Sequence, residues 1–326
     1  MKEYLLAALF SLLLTVLSGF VAIPLLKKIK AGQPVYKYVE AHKDKNGTPT
    51  MGGLFFIIAA TTGYFCFFGF GNNIANVSLV IGLAFMIVGF LDDFIKIRYR
   101  KNEGLKPYQK IVFQVIIASF AGYYSYRNSL TYFYIPFYKE RVDFGIMTVF
   151  VVAVAFVAIT NSVNLTDGLD GLAGFTVIPY LIVIAALIHL EYYNAGTDAI
   201  PNEYGAIIGL SLCLVGGVSG FLFFNINKAK IFMGDTGSLS LGGFLGAISL
   251  FSSNGLFIPI VGIMFVLSSI SVIVQVAYFK KTGKRVFLMA PLHHHFEIKG
   301  KTESQIAYSY GLITAIVGCV SVLFYL

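Results

Sequence analysis

The chain has 326 residues, of which 57% are hydrophobic and only 12% are charged, and its mean hydropathy is +0.78. Soluble proteins carry about 25% charged residues, so this composition excludes a pair of soluble domains and indicates a polytopic membrane protein. The net charge of +8 suits anionic lipid or phosphorylated substrates, although a positive cytoplasmic side is also ordinary for an inner-membrane protein.

Apolar runs of about 17 to 25 residues predict membrane-spanning helices. The sequence has ten such runs, and we expect one integral-membrane transferase domain over residues 1–326 with an all-α fold. The first run is followed rather than preceded by its basic cluster, so we expect an anchor and not a cleaved signal. The runs are 4–26, 51–70, 77–95, 111–127, 145–162, 171–190, 204–224, 237–253, 256–279 and 305–325.

The distribution of Lys and Arg predicts the orientation, because basic residues are retained on the cytoplasmic side of a membrane. If the N-terminus is outside, five connections and their flanks are cytoplasmic, and these hold 20 of the 24 basic residues. We therefore expect both termini outside. The five connections are 27–50, 96–110, 163–170, 225–236 and 280–304.

The first of these connections ends in a polar segment that leads into the second run. Lys45 precedes an Asn-Gly turn, Thr48 and Thr50 offer hydroxyl groups, and Pro49 sets the entry into the helix. This pattern is typical of a lysine directed at a phosphate with backbone amides nearby. An ordinary helix start beside a solvated basic loop explains it equally well.

The third run ends with two adjacent carboxylates, Asp92 and Asp93. Neighbouring carboxylates at a membrane boundary repel each other unless a divalent cation or a basic partner offsets them. Lys96 lies one helical turn from Asp92, so a salt bridge is the alternative for that residue. Consecutive helical residues point about 100° apart, so one carboxylate can hold Mg²⁺ while the other acts as a base. Lys106 and Lys110 follow, and they face either phosphate or lipid headgroups.

The segment 161–174 interrupts the apolar sequence with two carboxylates, Asp167 and Asp170, two Asn residues including Asn164, and several glycines. Polar groups are costly in an apolar setting, so this concentration predicts a cavity, a bound partner or a membrane surface. The alternative is a turn between helices in which Asn164 or Asp167 caps the next helix.

The connection before the eighth run contains Asp235, between glycines and beside two hydroxyl groups. A carboxylate at a glycine-rich helix start suits a metal ligand with a phosphate near the amides, although an ordinary capping Asp is the alternative. Asn225 and Phe232 in the same connection have the chemistry to meet a nucleobase by hydrogen bonding and stacking. An interfacial Phe is more often only an anchor.

The last connection contains His293, His294 and His295 in a row. Contiguous side chains diverge, so the three rings cannot all bind one zinc ion, but they can offer donors or positive charge to a phosphate. A surface histidine run is the alternative. The three cysteines have no paired spacing, which argues against a zinc site and a disulfide framework.

All these polar features fall at cytoplasmic ends of the predicted helices. An ion-coupled transporter would more often place its ionisable residues near mid-membrane. Carboxylates for Mg²⁺, lysines for phosphate and glycine-rich helix starts together indicate phosphoryl transfer in which one substrate is a lipid. A transporter or a lipid-binding protein without catalysis is the alternative from another class.

Five segments resemble signature segments of the phospho-N-acetylmuramoyl-pentapeptide transferase family and occur in that family's order. The segments are 47–53, 91–94, 161–171, 232–238 and 291–297. The resemblance implies transfer of phospho-MurNAc-pentapeptide from its UDP carrier to undecaprenyl phosphate, giving lipid I and UMP, with Mg²⁺ required, in the bacterial inner membrane. No nucleic acid is expected as a partner, and a homodimer is left open. A related polyprenyl-phosphate N-acetylhexosamine-1-phosphate transferase is the nearest alternative, and the Pro-Leu-His-His-His run favours the muramoyl-pentapeptide family.

The resemblance also implies residue roles. Asp235 would bind Mg²⁺ directly, with Asp92 and Asp93 as metal-positioning or base groups, and their order is left open. Lys45 and the three histidines would contact the diphosphate or the lipid phosphate. The remaining expected substrate-binding residues are Asn164, Asp167, Asp170, Asn225, Phe232 and Thr50. One departure is visible, because the family often has a Trp after the histidine run and this chain has none.

Overall fold

A computed structural model describes residues 1–28, 47–99, 104–138, 140–194, 202–226 and 228–325. The described residues form ten helices of at least 16 residues, two shorter α-helices and one two-stranded sheet. The long helices are α1 (Lys2–Lys28), α2 (Gly53–Phe68), α3 (Asn73–Tyr99), α4 (Pro107–Arg127), α5 (Thr148–Thr166), α6 (Leu172–Asn194), α7 (Asn202–Asn225), α8 (Gly234–Phe251), α10 (Ile263–Thr282) and α12 (Glu303–Tyr325). The shorter helices are α9 (Ile258–Val261) and α11 (Leu292–Ile298).

The helical polytopic architecture expected from the sequence is confirmed. Each of the ten apolar runs overlaps one long helix, and seven helices in the described part of the chain are long and apolar enough to cross a membrane. These seven are α1, α3, α5 with the turn before it, α6, α7, α10 and α12.

The run 256–279 is not one helix, which corrects the sequence interpretation. The helix breaks at Gly262, which separates α9 from α10. Glycine is a poor residue for a helix interior because it loses much backbone freedom there. Hydropathy alone does not reveal this break, since Ile, Val, Met and Phe continue on both sides of it.

Helix α8 lies at the centre of the bundle and is buried from Thr236 to Phe251. It packs against α3 and α5 most extensively, and also against α2 and α6. Small residues allow this close packing, since side chains added at Gly53 or Gly237 would collide with the facing helix or with Met233. The beginning of α8 is therefore surrounded by the ends of several other helices.

The sheet lies between α4 and α5, in the segment 127–145, which is rich in Tyr, Phe and Thr around Pro136. Strands β1 (Tyr132–Tyr134) and β2 (Arg141–Asp143) pair antiparallel, with Phe133 opposite Val142. Tyr134 donates its backbone N–H to the carbonyl of Ser253 at 2.9 Å, which attaches the hairpin to the end of α8 opposite Asp235.

Candidate active site

Three carboxylates from α3 and α8, two helices that are far apart in the sequence, meet at the beginning of α8. Gly89, Asp92 and Asp93 share one face of α3, because they are three and four positions apart. The missing side chain of Gly89 lets α3 approach the backbone of Asp235 and Thr236. Oxygen atoms of Asp92, Asp93 and Asp235 consequently lie within 4.8 Å of one another.

Two lysines neutralise part of this charge. The Lys96 Nζ atom lies 2.6 Å from Asp92 Oδ2, 3.3 Å from Asp235 Oδ2 and 3.9 Å from Asp93 Oδ1. The Lys110 Nζ atom lies 2.7 Å from Asp235 Oδ2. The salt bridge between Lys96 and Asp92 considered at the sequence level is therefore present, and Lys96 also reaches the other two carboxylates.

Asp93 is held by the first turn of α8. Its Oδ1 accepts the backbone N–H of Asp235 at 3.2 Å, and its Oδ2 accepts the backbone N–H and the hydroxyl of Thr236 at 2.9 and 2.7 Å. These bonds satisfy amide groups that a helix start leaves without intrahelical partners. Asp93, which is 1% exposed, thus caps α8 from a neighbouring helix.

Asp92 and Asp235 are less completely enclosed by backbone donors. Asp92 Oδ1 accepts the N–H of Leu105 at 2.8 Å, while its Oδ2 faces Lys96. Asp235 Oδ1 accepts the side-chain amide of Asn164 at 2.9 Å, and that amide also donates to Ser238 Oγ at 2.8 Å. Asn164 therefore lies with the carboxylates rather than apart from them.

The donor set fits a divalent cation. Three carboxylates face two ammonium groups, so the cluster retains an excess of negative charge when all five groups are ionised. Oxygen ligands of this kind suit Mg²⁺, which is usually bound through one or two carboxylates together with substrate phosphates. The position of Lys96 between all three carboxylates shows that a cation is favourable there.

The connection between α5 and α6 lies beside the cluster. Asp170 donates its N–H to Glu303 Oε2 at 2.8 Å and accepts the N–H of Ala229 through Oδ2 at 2.9 Å. Gly171 donates its N–H to Asn225 Oδ1 at 2.9 Å, and Asn225 Nδ2 donates to the carbonyl of Ile231 at 2.8 Å. The side-chain oxygen and nitrogen of Asn225 both form hydrogen bonds with the backbone, so this residue holds the conformation of the connection.

Asp167 ends α5 at the edge of the carboxylate cluster. Burial raises the pKa of Asp167 well above its ordinary value, and the nearby carboxylates of Asp235, Asp93 and Asp170 raise it further. A raised pKa favours the protonated carboxyl, which can donate a hydrogen bond.

The three histidines of α11 point to different partners. His293 is fully buried against Gly168, where an added side chain would collide with its ring, and neither ring nitrogen has a hydrogen-bond partner. Burial and the neighbouring His294 lower the pKa of His293 to about 3. His294 Nδ1 lies 2.8 Å from Glu297 Oε2, and His295 Nδ1 accepts the N–H of Leu288 at 3.2 Å. His293 thus lies against Gly168 in the connection between α5 and α6.

The segment before α2 forms another wall of the site. Phe232 donates its N–H to the carbonyl of Pro49 at 2.8 Å and accepts the N–H of Gly52 at 2.9 Å. Thr50 is buried with its hydroxyl lacking a hydrogen-bond partner, and a side chain added at Gly234 would lie 2.7 Å from it. Lys45, the remaining expected site residue, lies outside the described residues.

The sequence analysis left Lys110 facing either phosphate or lipid headgroups and paired Lys96 only with Asp92, and it gave Thr236 and Ser238 no partner. In the structure all four bind the carboxylates or their partners. The available signal was weak. Lys110 is a charged residue one turn inside an apolar helix, which indicates a compensated environment, but its partner is 125 positions away. Only the packing of α4 on α5 and α3 brings the Lys110 side chain to that partner.

Comparisons with known proteins agree with this geometry. The family model described as glycosyl transferase family 4 matches residues 75–253, and phospho-N-acetylmuramoyl-pentapeptide-transferase signature 1 matches residues 45–57. A phospho-N-acetylmuramoyl-pentapeptide-transferase from Clostridium botulinum is 41% identical over 95% of this chain and 93% of its own. The chain belongs to the phospho-N-acetylmuramoyl-pentapeptide-transferase family.

Other relatives of the same name extend the match. The transferase of Clostridium perfringens is 39% identical over 95% of both chains, and that of Clostridioides difficile is 39% identical over 97% of this chain and 96% of its own. Together with the seven apolar helices, membership of this family makes the chain a multi-pass protein of the bacterial cell membrane. The matched residues 75–253 contain the whole carboxylate–lysine cluster and Asn164, whereas α11 lies beyond them.

Proposed function

We propose that the chain transfers phospho-MurNAc-pentapeptide from its UDP carrier to undecaprenyl phosphate, releasing UMP and forming lipid I, the first membrane step of peptidoglycan synthesis. The observation that carries this proposal is the cluster of Asp92, Asp93 and Asp235 with Lys96 and Lys110 at one end of a bundle of apolar helices. Charged groups gathered at a helix end suit a reaction between a water-soluble diphosphate and a membrane lipid.

We further propose ten membrane crossings within a single domain over residues 1–326, both termini outside and the cluster on the cytoplasmic side. The overlap of every apolar run with a long helix supports the count. The positive-inside bias of Lys and Arg supports the orientation. Helices α2, α4 and α8, which are outside the set of seven, are apolar and lie beside the others in the bundle.

Asp235 and Asp92 would hold Mg²⁺, with Asp93 fixing the backbone of α8 behind them. When bound, this ion supplies neutralisation of the negative charge on the diphosphate. Lys96 and Lys110 would bind phosphate oxygens, because both ammonium groups already lie within the cluster. Such preorganised charges are the main contribution of a protein to phosphoryl transfer.

In the proposed reaction an oxygen of the lipid phosphate attacks the sugar-linked phosphorus, the bond between that phosphorus and the oxygen bridging to UMP breaks, and UMP leaves. Asp92 is better placed than Asp93 to orient the attacking phosphate or to take its last proton. Both oxygens of Asp93 are used by the first turn of α8, whereas Asp92 receives one backbone N–H and a lysine. A strong base is unnecessary if the lipid phosphate is already ionised at neutral pH.

The substrate-binding roles are proposals as well. Phe232 is half-buried beside the site and offers a ring for stacking on uracil, while Asp170 and Asn225 hold the surrounding backbone. Asn164 and Asp167, at the end of α5, and Thr50, before α2, would bind substrate beside the carboxylate cluster. His294 and His295, with Lys45, would contact the phosphates, whereas His293 is enclosed against Gly168 and would support the connection between α5 and α6.

An apolar cavity supports a lipid acceptor. Its volume is about 370 Å³, and its wall runs along α5 from Phe150 to Ser162, two positions before Asn164. Ile258 and Val266 close its other side. The twelve helical steps from Phe150 to Ser162 span roughly 18 Å, which is the scale of a lipid chain and not of a nucleotide. The cavity therefore offers a path for the hydrocarbon chain of undecaprenyl phosphate.

The deciding experiment is a substrate assay. Purified protein is incubated with undecaprenyl phosphate and either UDP-MurNAc-pentapeptide or UDP-GlcNAc, with and without Mg²⁺, and UMP and the lipid product are quantified. We expect product from UDP-MurNAc-pentapeptide only, dependent on Mg²⁺, and a near-complete loss in Asp235→Asn. Product from UDP-GlcNAc alone would assign the chain to the related hexosamine-phosphate enzymes. Full turnover by Asp235→Asn would refute the carboxylate site.

Orientation is tested on the two exposed ends of α4. Single cysteines replace Lys106 or Asn128 in a background without Cys66, Cys213 and Cys319, and intact cells are treated with an impermeant maleimide. We expect labelling at position 128 from outside and at position 106 only after permeabilisation. The reverse pattern would overturn the topology and the cytoplasmic site.

A further inference from the structure

The hydrophobic effect contributes little to holding helix α4 in its position in the bundle. It lies at the edge of the bundle and packs mainly on α5, with a smaller contact to α3. Its outer face is apolar and exposed, with Val112, Ile116 and Phe120 each more than half exposed. In lipid an apolar helix gains little by leaving hydrocarbon for another apolar surface, so close packing and polar bonds decide its position.

Two features attach α4 to α5. Near the end of α4 that faces the hairpin, Gly122 lets the helix approach the backbone of Val149, where an added side chain would collide. In the half nearer the carboxylates, the side-chain amide of the fully buried Gln114 hydrogen-bonds with the side-chain amide of Asn161 of α5. Asn161 Nδ2 donates to Gln114 Oε1 at 2.7 Å, and Gln114 Nε2 lies 3.4 Å from Asn161 Oδ1.

This amide pair lies one helical turn behind the carboxylate cluster. Lys110 is four positions before Gln114, and Asn164 is three positions after Asn161, so each pair occupies one face of its helix. Lys110 and Asn164 both bind Asp235, through Oδ2 at 2.7 Å and Oδ1 at 2.9 Å. The distance and register between α4 and α5 at the amide pair therefore set where the Lys110 ammonium group lies.

We infer that Gln114 and Asn161 are positioning residues for the transfer reaction, acting through Lys110. They hold α4 at the distance and rotation that keep the Lys110 ammonium group on Asp235. When the hydrogen bonds between the two side-chain amides are removed, α4 moves outward into lipid, and Lys110 withdraws from the cluster. The inference rests on the proposed function only in taking the Lys110 end of α4 as the site of the reaction.

The test replaces Gln114 with Met, which keeps the length of the side chain and removes both hydrogen-bonding groups. Polar pairs between membrane helices are modest in strength, so we expect kcat to fall by about 3- to 20-fold. A change confined to the fold would instead lower the Tm and leave kcat per folded molecule unchanged. Asn128→Leu, at the opposite end of the same helix, is the matched control and should keep wild-type kcat.

A double-mutant cycle identifies the route of the effect. If Gln114 acts through Lys110, the double variant Gln114→Met with Lys110→Met is no slower than Lys110→Met alone. The exchanged pair Gln114→Asn with Asn161→Gln restores one amide on each helix and should regain activity lost by either single change. Multiplying defects in the cycle, or wild-type kcat in Gln114→Met, would overturn the inference.

A second readout does not depend on turnover. Reaction of Lys110 with acetic anhydride, quantified by mass spectrometry, should rise several-fold in Gln114→Met and remain at the wild-type level in Asn128→Leu. Unchanged Lys110 reactivity in Gln114→Met would refute the positioning role even if kcat fell. Failure of the wild-type protein to release UMP would refute the proposed function, whereas the Lys110 measurement would still decide the inference.

Discussion

The sharpest consequence of the structure concerns Gly89, where α3 comes closest to the beginning of α8. A methyl group added there would lie 2.6 Å from the backbone nitrogen of Thr236 and still nearer to the carbonyl of Asp235. Both contacts are backbone atoms that cannot rotate away. Since carbon and a heavy atom need about 3.5 Å, Gly89→Ala forces α3 and α8 apart by roughly 1 Å.

The carboxylates lie directly beyond this contact, so they move with α3. The bonds from the first turn of α8 to Asp93, now 2.7 to 3.2 Å, would lengthen to about 4 Å, beyond the range of a hydrogen bond. Asp92 would retreat from Asp235 by a similar amount. A displacement of about 1 Å in a catalytic site costs about 100-fold in rate, or about 2.7 kcal/mol of transition-state stabilisation.

The assay is UMP release by purified Gly89→Ala, compared with Gly82→Ala two turns away on the same helix. In Gly82→Ala the added methyl meets the ring of Phe244 at 2.5 Å, and a side chain can adjust where backbone cannot. Each variant should lose about 1–3 kcal/mol of stability from overpacking, but only Gly89→Ala should lose about 100-fold in kcat. A Gly89→Ala enzyme within threefold of wild-type kcat, or an equal loss in both variants, would refute this reasoning.

Three further predictions concern polar groups around the site. Below pH 6.5 the unfolded chain protonates His293, whereas the folded chain, in which its pKa is about 3, does not. The free energy of unfolding of the wild type should therefore fall by about 1.4 kcal/mol per pH unit because of this residue. Denaturant unfolding of His293→Gln should lack that pH dependence. Because the pKa of Asp167 is raised in the folded chain, this residue opposes folding above pH 3.8. In Mg²⁺-free buffer the Tm of Asp167→Asn should therefore exceed that of the wild type at pH 8, and the difference should disappear toward pH 4. Equal Tm values at pH 8 would contradict this. Glu303→Ala releases the N–H of Asp170 and should raise KM for the UDP-sugar by about 3- to 10-fold with kcat spared, whereas Glu303→Gln keeps an acceptor and should retain the wild-type KM.

The sequence predicted the meeting of the carboxylates because Asp92, Asp93 and Asp235 all fall at helix ends that topology assigns to one side. The divergence of the three histidines was also predictable, since contiguous residues cannot share one direction. The different duties of Asp92 and Asp93 were not, because they depend on which of the two faces the first turn of α8. That choice follows from the rotation of α3 about its axis, which hydropathy along a nearly uniform apolar helix does not encode.

Asn164 illustrates the same limit from the other direction. Its motif placed it in a polar connection with Asp170, and both were expected to bind substrate. In the structure Asn164 belongs to the last turn of α5 and reaches Asp235 and Ser238, while Asp170 turns toward Ala229 and Glu303. Six positions of sequence thus separate two sides of the site, and the end of α5 decides which residue lies on which side.

The beginning of α8 explains why motifs so far apart in sequence converge. A helix start presents unpaired N–H groups and a positive end of the helix dipole, which attract negative charge. Asp93 satisfies that end from α3, the segment around Thr50 lies against Gly234, and Asn164 orients Asp235. The glycines at 53, 89 and 237 allow these neighbours to come within bonding distance of α8. Because the remaining cations, Lys96 and Lys110, arrive from the end of α3 and the beginning of α4, any movement of those two helix ends changes the charge balance at Asp235 before it changes the fold.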